Sequence, residues 1–198
     1  MNQFLAFDFD YIEDYNHVPR ILQTIGNTPV TFFLVGSQHP PEALNVPQSV
    51  QIGNHSFTHT EWYETPLEER VADLEKNHQF LKDMYGVDCN VYRSPHLRSF
   101  PDTAKEMTKR GYKPEMKCAE CPHCTPISEA LRIYFSSHHH FGPNPCERDF
   151  LEIFQTLCEK REDFTFFLDP HHFNTDERLE KLKHLIKIGN DFGTWKLL

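Results

Sequence analysis

The stretch Phe4-Leu5-Ala6-Phe7-Asp8-Phe9-Asp10 places four consecutive apolar residues directly before two closely spaced carboxylates. A short apolar run of this kind is typical of a buried β-strand, so the first strand is predicted at residues 4–7. Similar runs recur along the chain and are separated by segments with helical periodicity. The further predicted strands are residues 30–35, 50–52, 91–92, 131–135 and 165–168.

The clearest helix is predicted at residues 67–85, where apolar side chains recur on one helical face. Thr65 is expected to be its N-cap, with Pro66 in the first helical position and Glu68 completing a capping box. Gly86 is expected to end it. The other predicted helices are residues 18–25, 103–110, 148–160 and 176–186. Strands separated by helices predict parallel βα units and therefore an α/β fold.

The composition fits a single domain that spans residues 1–198. Of the 198 residues 38% are hydrophobic, and 17 are Phe, which provides enough apolar surface for a core. No internal repeat or low-complexity linker divides the sequence. The irregular stretch at about residues 113–128, rich in Cys and Pro, is expected to be an insertion.

The net charge of −9 argues against nucleic acid or an anionic membrane surface as the partner. No apolar run of about 18 residues predicts a transmembrane helix. The first residues lack the basic start and the cleavage site of a signal peptide, so a cytoplasmic location is expected. The six Cys are then expected to be reduced thiols or metal ligands.

Two groups of candidate metal ligands follow predicted strands. Asp8 and Asp10 point to the same side of an extended segment, and two close carboxylates repel unless a cation or a proton lies between them. His55 and His59 can bind one metal ion if their loop coils. Two His and one carboxylate form a common ligand set that leaves positions open for water and substrate. Each pattern alone also fits a solvated strand end or surface histidines.

Two further polar segments also follow predicted strands. Arg93 precedes Ser94 and Pro95 and can hold a carboxylate through two N–H groups, although a surface ion pair would leave the same pattern. The last predicted strand is followed by Asp169-Pro170-His171-His172. The loops that follow the strands of a parallel barrel share one face. The sequence therefore predicts that all four segments converge on one site.

In their order along the chain, these motifs resemble those of the polysaccharide deacetylases of the NodB-homology type, also called carbohydrate esterase family 4. Residues 7–10 resemble the paired-Asp motif, in the variant with one residue between the carboxylates, and residues 31–36 resemble the second-strand signature. Residues 53–59 resemble the HxxxH motif, and residues 93–95 the Arg-x-Pro motif. The resemblance runs from about residue 4 to residue 172. It implies a distorted (β/α) barrel of about seven strands.

The resemblance also implies that the protein removes an N-acetyl group from an amino sugar with the help of one divalent cation. The implied residues are Asp10, His55 and His59 for the metal, Asp8 as general base, Arg93 as its partner and His171 as general acid. Zinc is the expected cation because it accepts mixed nitrogen and oxygen ligands, and cobalt, nickel or iron fit the same ligands. Without a recognised signal peptide, the expected substrate is an N-acetylated sugar or oligosaccharide of cytoplasmic surface-polysaccharide biosynthesis, of the lipopolysaccharide or O-antigen type.

The sequence departs from the family pattern at the general acid. The family's fourth motif, whose Asp orients the catalytic His, has no match between Lys113 and Phe164. Asp169 stands where the family has its His, so His171, His172 and Asp169 compete for this role. A pKa near 6.5 favours His near neutral pH. His171 is nearer the strand end, His172 is expected to turn outward, and Asp169 is the expected carboxylate partner of the acid.

Three other features have alternative interpretations. Asp14 is an outside candidate for the metal ligand, because the family has variants with a longer spacing. The spacing of Cys118, Cys121 and Cys124 fits either a structural zinc site or reduced thiols in a surface loop. The three His at residues 138–140 are expected to lie in a solvated loop, with substrate contact as the alternative.

Two other functions are open at this point. A magnesium-dependent phosphatase of the haloacid-dehalogenase type would also begin with a strand that ends in two Asp, but it gives no role to His55 or His59. A sugar-binding module that has lost its general acid would explain why Asp169 stands in the position of the family's His.

Overall fold

The computed structural model describes residues 1–97, 100–113, 117–118, 132–134, 151, 154–155, 158–159 and 164–198. These residues form a parallel sheet in the order β3-β2-β1-β6-β5-β4, and β7 also pairs with β1. The strands are β1 (Asn2–Phe9), β2 (Val30–Leu34), β3 (Val50–Asn54), β4 (Lys117–Cys118), β5 (Arg132–Tyr134), β6 (Phe164–Leu168) and β7 (Thr194–Lys196). The predicted α/β class is confirmed.

Four α-helices are described: α1 (Val18–Ile25), α2 (Leu67–Tyr85), α3 (Pro101–Lys109) and α4 (Asp176–Phe192). Short 3-10 helices cover Ile12–His17, Gly36–Gln38, Pro95–Leu97 and Pro170–Phe173. Helix α1 packs against α4, and α2 packs against α3. None of the helices in the described part of the chain is long and apolar enough to cross a membrane.

The register of the central strands aligns the ends from which the polar segments leave. Asp8 on β1 is paired with Phe33 on β2, which is in turn paired with Gly53 on β3. On the other side, Phe7 is paired with Leu168, the last residue of β6. The paired carboxylates, the HxxxH loop and the segment after β6 therefore leave the sheet at the same edge, as the sequence predicts.

Aromatic side chains fill the core beneath this edge. Strands β2 and β6 are buried along their whole length, so both of their faces are covered. The ring of Phe7 meets the rings of Phe32 and Phe173 edge-on, with centroids 5.8 Å apart in each pair, a favourable geometry for aromatic rings. This packing fixes the end of β1 relative to β2 and to the segment after β6.

The predicted strand at residues 91–92 is wrong. Tyr92 forms only an isolated parallel bridge with Asn54. The contact consists of one hydrogen bond from Asn54 N to Val91 O at 3.0 Å and one from Arg93 N to Asn54 O at 2.9 Å. The chain then enters the 3-10 helix Pro95–Leu97, whose His96 has a left-handed φ of 55°. The segment leaves the sheet before a second pair of hydrogen bonds can form.

The extent of α2 agrees with the prediction, but its capping does not. Pro66 is the N-cap, and no side chain caps the helix. The hydroxyl of Thr65 donates to the carbonyl of Glu61 at 3.1 Å and so does not cap the helix, and no capping box with Glu68 is formed. At the other end, Gly86 takes a left-handed φ of 69°, as predicted.

Several other boundaries differ from the predictions. Helix α3 begins at Pro101, two residues before the predicted start, because Pro is well suited to a first helical position. Helix α4 continues to Phe192, beyond the predicted end at Ile186. Its Gly189 lies where a Cβ atom would be 2.2 Å from Cζ2 of Trp195, so the glycine permits close packing of β7. Most of the predicted helix at residues 148–160 lies outside the described residues.

Candidate metal-binding and catalytic site

Asp10, His55 and His59 come together at the shared edge of the sheet. The Oδ1 atom of Asp10 lies 3.1 Å from Nε2 of His55 and 3.3 Å from Nε2 of His59. One potential ligand atom from each residue lies within 4.8 Å of the other two. The structure thus assembles the predicted metal triad, with two ring nitrogens directed at one carboxylate oxygen.

The bonding of these side chains fits a divalent cation. Oδ1 of Asp10 and Nε2 of His59 are buried and have no hydrogen-bond partner among the described residues. Nδ1 of His55 lies 2.9 Å from the carbonyl oxygen of Arg93, so the Nδ1–H donates there and Nε2 is the ring nitrogen that faces Asp10. Outer hydrogen bonds of this kind are typical of metal-binding histidines.

The pKa values of two members suit ligands at neutral pH. Burial alone would raise the pKa of Asp10, but its contact with His55 and the charges of the neighbouring imidazoles outweigh burial and hold the pKa at about 2. Burial, followed by the charge of His55, lowers the pKa of His59 to about 4. Asp10 is therefore ionised and His59 neutral, the forms in which each residue binds a metal.

The HxxxH segment is a strained loop. Ser56 and His59 have left-handed φ angles of 68° and 55°, a conformation that side chains other than Gly rarely adopt. The backbone N–H of Ser56 donates to Oδ1 of Asn54 at 3.0 Å, and that of His59 donates to Oγ of Ser56 at 3.0 Å. Asn77 donates from Nδ2 to Oδ1 of Asn54 and to the carbonyl of Leu34, both at 2.8 Å. This buried network, which the sequence did not predict, holds the loop.

Asn77→Leu is expected to weaken both the fold and metal binding. Two buried acceptors, Oδ1 of Asn54 and the carbonyl of Leu34, would each lose one of two donors, which should lower the free energy of unfolding by about 2 kcal/mol. The loosened loop should lower metal affinity by about tenfold. Urea denaturation and titration with Co²⁺ measure the two effects, with Gln79→Leu, an exposed position on the same helix, as the control. Equal values for the two variants would contradict this role of Asn77.

Asp8 and Arg93 form a buried ion pair beside the triad. Nη1 of Arg93 lies 2.5 Å from Oδ1 of Asp8, and the side chains are 0% and 3% exposed. The guanidinium lies 4.3 Å from the ring centroid of Phe33 and 5.0 Å from that of Phe167. Burial raises the pKa of Asp8, and the charge of Arg93 opposes that rise. Oδ2 of Asp8 lies 3.8 Å from Nε2 of His55, so a second carboxylate stands next to the candidate metal ligands.

Asp14 is the carboxylate partner of His171. Its Oδ1 lies 3.0 Å from Nδ1 of His171 and accepts from the backbone N–H of the same residue at 3.2 Å. Its Oδ2 accepts from the N–H of Tyr11 at 2.9 Å, and Asp14 itself is buried. The bond to Asp14 is the main cause of a raised pKa of His171.

This pair could not be predicted from the sequence, because its two residues lie far apart along the chain. Asp14 is separated from His171 by 157 residues, whereas the family's fourth motif was expected between Lys113 and Phe164. Asp14, the outside candidate for the metal ligand, instead binds this histidine. Asp169, the expected partner, lies with its Oδ2 3.6 Å from Nδ1 of His172.

His172 turns inward, so the expectation that it turns outward is wrong. It is 7% exposed, and its carbonyl accepts from Nη1 of Arg178 at 3.0 Å. The next residue, Phe173, is fully buried in the core and fixes the 3-10 helix. His171 is the more accessible of the two, which suits a residue that must reach a substrate.

His96 also borders the site, although no motif pointed to it. Its ring centroid lies 4.6 Å from that of His59, and the residue is exposed. Of the remaining predicted residues, Cys121, Cys124 and His138–140 lie outside the described part, and Cys118 is described only as part of strand β4.

Comparison with known proteins agrees with this geometry. The family model of polysaccharide deacetylase matches residues 3–114, more than half of the chain, and the matched segment includes Asp8, Asp10, the HxxxH loop and Arg93. The chain therefore belongs to the polysaccharide deacetylase family. No curated protein matches the sequence significantly.

Solved structures show the same fold at low sequence identity. A carbohydrate esterase family 4 esterase from Streptococcus mutans is 18% identical, with a TM-score of 0.69 over 99% of this chain and 85% of that one. An acetyl xylan esterase from Clostridium thermocellum, solved with a cobalt ion, is 13% identical, with a TM-score of 0.63 over 100% and 88%. A pseudoenzyme of the same family from Bacillus anthracis is 14% identical, with a TM-score of 0.69 over 99% and 63%. The fold is thus the (β/α) barrel of this family.

Proposed function

We propose that the protein is a metal-dependent deacetylase that hydrolyses the N-acetyl group of an amino sugar. The observation that carries the proposal is the arrangement of three units at one edge of the sheet. These units are the triad Asp10, His55 and His59, the buried pair of Asp8 and Arg93, and His171 with its carboxylate Asp14. Family membership excludes the phosphatase of the haloacid-dehalogenase type considered above.

Asp10, His55 and His59 would hold the cation, for which zinc is our first choice. When bound, the cation supplies Lewis acidity, which polarises an amide carbonyl and lowers the pKa of a nearby water molecule. The ligand set equally suits cobalt, the ion found with the esterase from Clostridium thermocellum.

Asp8 would act as the general base. Its carboxylate lies beside the triad but makes its closest contact with Arg93 at 2.5 Å. Arg93 is buried and holds the carboxylate in one position, with one oxygen engaged and the other facing His55. A carboxylate fixed next to a Lewis acid is suited to take a proton from water.

His171 would act as the general acid. Asp14 occupies Nδ1, which leaves Nε2 as the nitrogen that can give a proton to the leaving amine. The raised pKa of His171 increases its protonated fraction near neutral pH. His171 is more exposed than the buried His172 and has the contact with Asp14 at 3.0 Å, so the geometry favours His171 over His172.

Asp14→Asn is expected to narrow the pH range of activity from the alkaline side. Without the carboxylate, the pKa of His171 falls, so the protonated acid is lost at a lower pH, and the alkaline limb of kcat moves to lower pH. At neutral pH kcat should fall by about tenfold. The pH–rate profile measures this effect, with Glu13→Gln, an exposed neighbour, as the control. An alkaline limb at the same pH in both variants would count against this pairing.

We extend the proposal to the substrate and its location, as expected from the sequence alone. The substrate would be an N-acetylated sugar or oligosaccharide of surface-polysaccharide biosynthesis, deacetylated in the cytoplasm. Cell fractionation tests the location. Acetate release from soluble N-acetylated precursors, compared with release from mature polysaccharide, tests the substrate class.

The experiment that tests the activity is an acetate-release screen over N-acetylated sugars with zinc- and cobalt-loaded protein. Acetate released by the wild type and not by Asp8→Asn would support the deacetylase. Because one protein of similar structure, from Bacillus anthracis, is a pseudoenzyme, a sugar-binding module is the second candidate function. Sugar binding without acetate release under either metal would support that module instead.

A further inference from the structure

We propose that Asp169, His171 and His172 form a second binding site for a divalent cation, and that a cation bound there inhibits the enzyme. Binding at this site is inferred from its geometry and holds whether or not the protein is an active deacetylase. The inhibition rests on the function proposed above, in which His171 is the general acid.

The three side chains present a compact set of potential ligand atoms. One atom from each residue lies within 4.8 Å of the other two, as in the triad of Asp10, His55 and His59. Oδ2 of Asp169 lies 3.6 Å from Nδ1 of His172, and the two imidazole rings have centroids 4.1 Å apart. A carboxylate and two imidazoles are a ligand set that zinc and related cations accept.

The backbone around these ligands is fixed. Asp169 is the N-cap of the 3-10 helix Pro170–Phe173, and its carbonyl accepts from the backbone N–H of His172 at 3.1 Å. The N–H of His171 is held by Asp14, and Arg178 holds the carbonyl of His172. Asp169 and His172 are 6% and 7% exposed. Ligands held in this way lose little conformational entropy when a cation binds.

Asp14 gives the site a supporting carboxylate. A metal-binding His typically donates its other ring N–H to a carboxylate, which orients the ring and makes it a better ligand. The contact between Asp14 Oδ1 and Nδ1 of His171, at 3.0 Å, has this arrangement. The charges of Asp14, Asp169 and the nearby Asp10 all act on His171, and this negative surrounding favours a bound cation.

Inhibition follows from the nitrogen that remains available on His171. With Nδ1 engaged by Asp14, only Nε2 can carry the proton needed by the leaving amine, and only Nε2 can bind a cation. A cation and the catalytic proton therefore compete for one atom. The enzyme should be activated by cation bound at the first site and inhibited by cation bound at the second.

Equilibrium dialysis against Zn²⁺ tests the binding site. We expect the variant Asp169→Asn/His172→Gln to bind one equivalent fewer than the wild type. The control His184→Gln, an exposed position on α4, should bind the same number as the wild type. The result is the difference in bound zinc between the wild type and the variant, so zinc bound elsewhere in the chain contributes equally to both and does not affect it. Equal binding by wild type and variant, or the same loss in the control, would overturn the site. If the double variant does not fold, His172→Gln alone serves the same comparison.

Acetate release measured along the same zinc titration tests the inhibition. Wild-type activity should rise with the first equivalent and then fall at least tenfold, whereas the variant should rise without the fall. A fall of equal size in both proteins would overturn the inhibition. Absence of acetate release at every zinc level would show that the proposed function is wrong, and the difference in bound equivalents would still decide the binding site.

Discussion

Asp8→Asn is expected to retain the cation and to lower kcat by about a thousandfold. Asn has the size of Asp and can still accept a hydrogen bond from Arg93, but its amide cannot take a proton from water. Asp8 is not part of the converging triad, in which both imidazoles face Asp10. Elemental analysis after dialysis, together with the rate of acetate release, measures the two properties on the same sample.

The matched variant is Asp10→Asn, which makes the same chemical change two residues away. It should bind one equivalent of metal fewer than the wild type, and so should His55→Ala and His59→Ala. In each of these variants the loss of activity should follow the loss of metal. Loss of metal in Asp8→Asn together with its retention in Asp10→Asn would invert the assignment of base and ligand.

Arg93→Met is expected to lower the free energy of unfolding by about 3–5 kcal/mol. The guanidinium is fully buried and pairs with Asp8, whose side chain is 3% exposed. Met fills much of the same volume but leaves the carboxylate without its cation. The guanidinium's contacts with Phe33 and Phe167 are lost as well. Urea denaturation at constant pH gives the difference from the wild type.

Two further variants separate charge from packing at this position. Arg93→Lys keeps the cation, so its loss of stability should be smaller. The double variant Arg93→Met/Asp8→Asn removes the buried charge as well and should recover part of the stability lost in Arg93→Met. A loss below about 1 kcal/mol in Arg93→Met, the usual contribution of an exposed ion pair, would show that the pair contributes little to stability.

Features set by neighbouring residues could be predicted from the sequence. The limits of α2 follow from its apolar periodicity and Gly86, and β2 follows from a run that is apolar except for Thr31. The convergence of the paired carboxylates and the HxxxH loop was predicted because both follow strands, and the parallel register of β1 and β3 through β2 brings those strand ends together. The choice of Asp10 as the ligand came from the resemblance to the family.

Features set by distant contacts could not be predicted. The pairing of Asp14 with His171 joins residues 157 positions apart, and no local pattern marks a buried carboxylate in a 3-10 helix. Strands β4 and β7 have two and three residues, too few for a hydrophobic period to be visible. At the start of α2, the local pattern indicated a cap by Thr65, but the competing carbonyl of Glu61 is the acceptor for its hydroxyl.

The pairing of β1 has a consequence for how the protein is made. Strand β1 pairs at Gln3 with Phe164 of β6 and with Trp195 of β7, so its partners on that side lie far along the chain and are synthesised long after it. The nascent chain can pair β1 with β2, and β2 with β3, early in synthesis, but β1 lacks its partners β6 and β7 until those strands have been made. Such long-range pairing slows folding and exposes apolar surface to aggregation. Chaperone dependence during synthesis should therefore be stronger for this chain than for a helical protein of equal length.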